Sequence, residues 1–359
     1  MFDVAIVGSG PAGASCAGFC AQAGLRVLVL EREKFPREKV CGDCLNPACW
    51  PVLHRFGVAE RVCGLPHGEL DSVDFIGVDG NRVTIPLPTN GGREIAVKRS
   101  SFDHALMNRG RELGAEIREG MTVTGVCAPA DPAEPWRVTT VTQEFDARIL
   151  VAADGRNSSI ARFCGVLPKI EKERVAIQTH LPLPPDFGRR VVLQFRPEGY
   201  SGQAPVGEDQ LNLCLVSTAP RLSAIRRWAE ETFALAPTHP WRTITPLTRA
   251  PISTATAGLF LVGDAARVVE PLTGEGIYYA IRSGEIAADA IARIIRGGDS
   301  REIAREHQRQ RTQLYRGRLW VNQLARQAVL HPNAASVALR LSQVQPALLR
   351  VLTSKIVRS

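Results

Sequence analysis

Six consecutive residues near the start of the chain, Gly8-Ser9-Gly10-Pro11-Ala12-Gly13, have the types and spacing to hold a phosphate anion. Gly8 permits a tight turn and Gly10 lets a pyrophosphate approach the backbone. Gly13 lets the next helix lie close to a sheet, with its first amides facing the anion. Glu31 stands 18 residues after Gly13, where a carboxylate accepts hydrogen bonds from ribose hydroxyls and repels a 2′-phosphate. Carboxylate and glycine meet twice more, at Asp154-Gly155 and Gly263-Asp264. A turn from Pro271 to Ile277, containing Gly274, Glu275 and Gly276, opens a helix whose first amides can stabilise another negative charge. Cys41-Gly42-Asp43-Cys44 has the spacing of a redox dithiol.

Each of these groups falls where a strand ends. Residues 2–7 form a short β-branched apolar run, residues 14–22 read as a helix rich in small residues, and residues 25–30 read as a second buried strand. Strand, turn, helix and strand in this order are the context a dinucleotide fingerprint requires, and the fingerprint alone leaves NAD and FAD both open. Residues 147–153 and 258–262 are further buried strands, placing Asp154 and Asp264 at the ligand-binding end of an open α/β sheet. Residues 100–115 form an amphipathic helix with Phe102, Leu106 and Leu113 on one face and Gly114 closing it. Residues 121–146 alternate as an antiparallel meander, and residues 190–195 and 210–216 are strands of another sheet.

GSGPAG with Glu31, FPREKVCG at 35–42, RSSFD at 99–103, ADGRNSSIAR at 153–162 and VGDAARVVEPLTGEGIYYAI at 262–281 together resemble the FAD-dependent superfamily that holds geranylgeranyl reductases, para-hydroxybenzoate-hydroxylase-type monooxygenases and flavin-dependent halogenases. The pieces span about 280 residues in that superfamily's order. The resemblance implies an α/β fold: a Rossmann-like FAD-binding domain of the glutathione-reductase type interleaved with a β-sheet substrate domain, followed by C-terminal helices. The expected division is 1–65, 95–165 and 255–300 for FAD, 66–94 and 166–254 for substrate, and 301–359 as a basic helical segment. It implies that Asp264 binds the ribityl chain, that Gly274–Ile277 sets a helix start beside the flavin's N1–C2=O, and that Arg99 and the Asp154 region contact the cofactor. Arg32, Cys41, Gly42, Val123, Gly155, Gly263 and Pro271 complete the expected cofactor set.

The resemblance also narrows the chemistry. No second glycine fingerprint occurs, so NADH or NADPH would serve only as a transient electron donor, and paired-dinucleotide disulfide reductases are disfavoured. Cys41-Gly42 matches the Cys-Gly that reductases of the superfamily carry beside the flavin. No metal site is expected, because Cys41, Cys44, Cys49 and Cys63 lack the spacing of a zinc ribbon or knuckle. The halogenases carry two tryptophans one residue apart, and Trp50, Trp136, Trp228, Trp241 and Trp320 include no such pair. Polyprenyl reductases carry Tyr-x-Trp-x-Phe-Pro, where this chain has Tyr200-Ser-Gly202-Gln-Ala204-Pro205, which implies a wider or differently shaped pocket. Reduction of a C=C bond in a hydrophobic small molecule is preferred. The alternative is NAD(P)H-dependent hydroxylation of an aromatic or polyketide-like substrate, and a non-catalytic flavin- or ligand-binding protein is a third reading. Tyr200, Glu275 and Tyr278 are the candidate proton donors, while His180 and His239 read as structural.

Composition bounds the partners. Hydrophobic residues make up 45% and charged residues 22% of the 359, which excludes a disordered or fibrous chain. The net charge is +8; residues 301–359, where 11 Arg and Lys face 2 acids, carry +9, and the rest of the chain −1. No basic stripe crosses the fold, so nucleic acid is not an expected partner. The tail reads as a solvated face on packed helices, or alternatively as a basic amphipathic surface for an anionic membrane or an acidic carrier protein. No apolar run is long enough to span a bilayer. Nine scattered cysteines and no leader-like start lead us to expect a cytoplasmic protein with reduced thiols.

Overall fold

The strand Phe2–Val7 lies between Val27–Glu31 and Glu144–Ala152, parallel to both. Its apolar side chains pack on two faces at once, and Val4, Ala5 and Ile6 are fully buried. In the computed structural model, which describes residues 1–87, 92–131, 134–168, 174–252, 258–316 and 318–344, this strand sits in the middle of a sheet. Its order is Glu116–Glu119, Val27–Glu31, Phe2–Val7, Glu144–Ala152, Trp136–Thr140, Val123–Cys127. Leu259–Leu261 pairs in parallel with the last residues of Glu144–Ala152. The register sets Val7 beside Leu30 and Ala152, and Ala152 beside Leu261. The four strands therefore end at one level, and the loops after them converge.

The helix Pro11–Gln22 covers one face of this sheet and packs along Gly276–Ile295. The backbones touch: a Cβ added at Gly284 would lie 2.3 Å from Ser15 Oγ and 2.5 Å from the Ala12 carbonyl. Ser15 donates to the carbonyls of Ala12 and Ile281, which satisfies its hydroxyl inside the contact. The small residues at the start of the chain's first helix are thus a packing requirement as well as an anion-site requirement. The amphipathic helix is Arg99–Glu112, with Phe102 and Leu106 buried and Gly114 at a φ of +102° just past its end.

A second sheet runs Arg242–Ile244, Val175–Pro182, Gln210–Ser217, Gly199–Val206, Arg190–Arg196, Ser72–Ile76, Arg82–Pro86. A small third sheet joins Cys44–Leu45, Glu94–Val97 and His67–Leu70, so the chain crosses between sheets on both sides of positions 66 and 94. The C-terminal helices are Ser300–Tyr315, Leu319–Leu330 and Pro332–Val344, with a break at His331-Pro332; Pro346, a second candidate break in the sequence, lies outside the described residues. Val329 and Leu339 pack with Phe195, Tyr200 and Val216 on the second sheet, while Trp320 and Leu324 stay exposed. Among the described residues no helix is long and apolar enough to cross a membrane.

Candidate functional site

The strand ends open onto a cavity of about 250 Å³. One side of it is polar. Gly10, Pro11 and Ala12 line it at the start of the first helix, and Gly155, Arg156 and Asp264 line it from the two neighbouring loops. The glycines are there for two reasons. Gly8 has a φ of +99°, and a Cβ at Gly13 would fall 1.9 Å from the Gly8 carbonyl oxygen. A Cβ at Gly10 would meet nothing closer than Arg37 Nη2, at 3.6 Å. Gly13 is therefore demanded by the fold, and Gly10 leaves space that a ligand can use.

Four cations, Arg37, Lys39, Arg99 and Arg156, gather around this end. Arg99 makes a bidentate pair with Asp103 at 2.7 and 2.8 Å, and Arg37 reaches the same carboxylate at 3.0 Å. Arg156 donates to Asp264 at 2.9 Å. Burial alone would push the Asp264 carboxyl up, but Arg156, Lys39 and Arg99 outweigh it and hold the group below the ordinary carboxylate value. Burial and the neighbouring Arg99 bring Lys39 down to about 8, against the pull of Asp264. Arg37 Nη1 and Arg156 Nε are buried without a hydrogen-bond partner. A glycine-lined space, clustered cations and unspent guanidinium N–H groups suit a diphosphate.

Pro271, Gly274, Gly276 and Ile277 also line the cavity. Gly274 adopts a φ of +69°, which turns the short helix Pro271–Thr273 into the start of Gly276–Ile295. Beyond them the walls become apolar, with Val73, Phe75, Val191, Leu193, Val216 and Leu247 from the second sheet. Tyr200, Gly202 and Ala204 face the same space from one strand. Burial pushes the Tyr200 hydroxyl well above its ordinary pKa, so it stays protonated.

The structure does not bring every sequence candidate to this cavity. The Glu275 carboxylate is fully buried and turned toward the C-terminal helices, where Arg318 donates to it at 2.8 Å and Asn322 at 3.3 Å. Tyr278 packs in a hydrophobic cluster with the Arg318 guanidinium 5.1 Å over its ring. Neither side chain lines the cavity. Asp154 spends its Oδ2 on the amides of Ser159 and Ile160, and it is Gly155 that faces the space. Glu31 accepts from the amides of Ser9 at 2.6 Å and Glu33 at 2.9 Å, which fixes its carboxylate beside the glycine turn. Arg32 is exposed and paired with Glu33. Val123 begins an outer strand of the first sheet, and Gly263 packs on Ala12. Cys41 and Gly42 do line the cavity, and all nine cysteines are free thiols.

Other residues at the site carry no local sequence signal. Asp43, Glu94, Gln203 and Cys214 line it from a loop and three different strands. Burial raises the Glu94 carboxyl to about 7 and lifts the Cys44 and Cys214 thiols well above their ordinary value. The signal for Arg156 was present in ADGRNSSIAR, but its partner Asp264 lies 108 residues away.

A sequence profile described as an FAD binding domain matches residues 1–184, just over half of the chain. The chain belongs to the FAD-binding domain family. FAD is accordingly its cofactor, and the chain is an FAD-dependent oxidoreductase. It is 29% identical over 331 residues to a digeranylgeranylglycerophospholipid reductase of Methanosphaerula palustris, covering 84% of this chain and 79% of that one. It is 29% identical over 338 residues to a menaquinone reductase of Mycobacterium tuberculosis, covering 84% and 78%. A conditioned medium factor receptor 1 of Dictyostelium discoideum is 28% identical, and there the match spans 81% of this chain but only 63% of the relative. Among solved structures, the flavin-dependent brominase Bmp2 superposes with a TM-score of 0.80 at 23% identity, covering 99% of this chain and 93% of that one. The probable FAD-dependent monooxygenase pqsL of Pseudomonas aeruginosa gives 0.78 at 19%, covering 94% and 99%. These two establish the FAD-binding oxidoreductase fold.

Proposed function

We propose that this FAD-binding protein reduces a C=C bond in a hydrophobic, isoprenoid-type molecule. The observation that carries the reading is the second wall of the cavity. It is built of aliphatic side chains and of Gly202 and Ala204, and it is continuous with the cationic end. The reductases among its relatives are named for isoprenoid lipids, and their identity to the chain extends over most of its length.

On this reading Gly10, Pro11, Ala12, Arg37 and Arg156 hold the cofactor's diphosphate, Glu31 faces the adenosine ribose, and Asp264 the ribityl chain. The Gly274–Ile277 turn meets the flavin ring, with Arg99, Cys41 and Gly42 around it. The bound cofactor supplies the hydride, after an external donor such as NADH or NADPH has reduced it. The chain's own residues do the rest. The apolar wall excludes water from the alkene, and Tyr200, held protonated, adds a neutral aromatic face to it. Segments 1–65, 95–165 and 255–300 serve the cofactor, and 66–94 and 166–254 cover the substrate.

The test is a product analysis with the flavin-loaded protein, a reductant and isoprenoid lipids that include menaquinone. Products heavier by two hydrogens for each bond reduced are expected. Products heavier by one oxygen atom would show a monooxygenase instead.

A further inference from the structure

Cys41-Gly42-Asp43-Cys44 lends itself to a dithiol reading, and His180 to a structural one. The structure joins their middle members. Asp43 is fully buried, lines the cavity and has a φ of +62°, a left-handed conformation uncommon for a residue with a side chain. Two contacts hold it there. Its carbonyl accepts from the Val97 amide at 2.9 Å, and its Oδ2 accepts from Asn212 Nδ2 at 2.7 Å. Asn212 also donates to the Cys41 carbonyl at 2.8 Å, so the loop is clamped to the second sheet on both sides of Gly42. His180 Nε2 lies 2.9 Å from the same Oδ2. The other oxygen, Oδ1, is buried and has no hydrogen-bond partner.

Asp43 thus places a buried carboxyl, with one oxygen fixed and the other unspent, at the wall of the cavity. We propose that Asp43 is the proton donor of this site, with His180 as the positioning residue that recharges it. The proposal rests on the reductive reading above. The hydride and its electron pair come from the reduced flavin cofactor and add to one alkene carbon. The Oδ1–H bond of Asp43 breaks, and its proton adds to the other carbon. The resulting carboxylate is stabilised by His180 Nε2–H and regains a proton from solvent through the half-buried imidazole.

The surroundings favour a protonated acid. Burial pushes the Asp43 carboxyl above its ordinary value, opposed by the hydrogen bond and charge of His180 and by Arg99, and assisted by Glu38. Cys41, Cys44 and Cys214 are the remaining titratable groups around it, and both Cys44 and Cys214 are pushed toward the neutral thiol. Helix Arg99–Glu112 thus presents a cation, the second sheet presents His180 and Cys214, and the loop itself presents Glu38 and two thiols.

The test uses the flavin-loaded protein and its Asp43→Asn and His180→Gln variants. Asparagine tolerates the left-handed backbone, so Asp43→Asn should fold, bind FAD and accept electrons from the donor as the wild type does. First, the infrared band of a protonated carboxylic acid is followed from about pH 4 to 8. Beyond the band of Glu94, which Asp43→Asn keeps, the wild type should show an additional band that titrates above the ordinary aspartate range and is absent from Asp43→Asn, and in His180→Gln that additional band should titrate higher still. Second, isoprenoid alkene reduction in D₂O should fall about 100-fold or more in Asp43→Asn, with flavin content and the rate of flavin reduction unchanged. An Asp43 ionised throughout that range, or near-normal alkene reduction by Asp43→Asn, overturns the proposal. If the loaded wild type reduces no alkene, it is the reductive reading that fails, and the infrared titration alone then decides whether Asp43 is an acid.

Discussion

Gly10 and Gly13 stand three residues apart in one motif and answer to different demands. A methyl group at Gly13 collides with the Gly8 carbonyl at 1.9 Å, whereas at Gly10 the nearest atom is 3.6 Å away. Gly13→Ala should therefore fail to yield a folded, flavin-loaded protein. Gly10→Ala should melt as the wild type does without cofactor, yet lose FAD affinity by about 10- to 100-fold, roughly 1.4–2.7 kcal/mol. Calorimetry of the apoproteins and a flavin fluorescence titration separate the two effects. Lys39 makes a pH prediction. Its ammonium loses a proton near 8, and the positive form is the one that attracts a diphosphate, so FAD affinity should weaken as pH rises from about 7 to 9. Lys39→Gln should flatten that dependence. At this scale the glycines and Glu31 were legible because their chemistry is local. Asp43 and His180 were not, since their meeting spans 137 residues and no spacing rule reports it.

The strand Gly199–Val206 and the loop before Pro271 are the elements on which the substrate end depends. A Cβ at Gly202 would meet Leu193 Cδ2 at 3.6 Å, an ordinary contact, so the backbone accepts a side chain and the indole of Gly202→Trp must enter the cavity. Turnover of a bulky isoprenoid should fall by tenfold or more, about 1.4 kcal/mol, while flavin content stays the same. Arg174 and Glu270 form a buried pair at 2.6 Å that ties the start of Val175–Pro182 in the second sheet to the Pro271 turn. Glu270→Ala should destabilise the protein by about 3–5 kcal/mol in denaturant unfolding, because a guanidinium loses its carboxylate where water cannot replace it. The long strands and Arg99–Glu112 were legible from their apolar periods. Two-residue Cys44–Leu45 and four-residue His67–Leu70 were not, because such short strands exist only through the partner Glu94–Val97, and a partner distant in sequence leaves no periodic trace.

Across the whole molecule, the first sheet delivers four loop ends to one level, and the second sheet closes an apolar wall over them. The C-terminal helices reach this site from outside. Thr273 donates to Asn322, and Arg318 and Asn322 grip Glu275 next to the Gly274–Ile277 turn. That connection explains why Glu275 stands away from the cavity: it sits within a motif whose neighbours line it, but a tertiary partner more than 40 residues away holds its carboxylate in the buried contact with the C-terminal helices. The general architecture was readable because five motifs fall in a recognisable order. The occupant of the apolar end was not, since a wall mostly of valine, leucine, phenylalanine and glycine specifies a shape more than a functional group. The most direct measurement is therefore an anaerobic single turnover. Holoprotein is reduced, freed of excess reductant, mixed with an isoprenoid substrate and followed by flavin absorbance. Reoxidation of the flavin by the alkene in the absence of O₂, matched by an equivalent of the reduced-bond product, is the expected result. A flavin that stays reduced until O₂ is admitted, and a product that then contains oxygen, would contradict it.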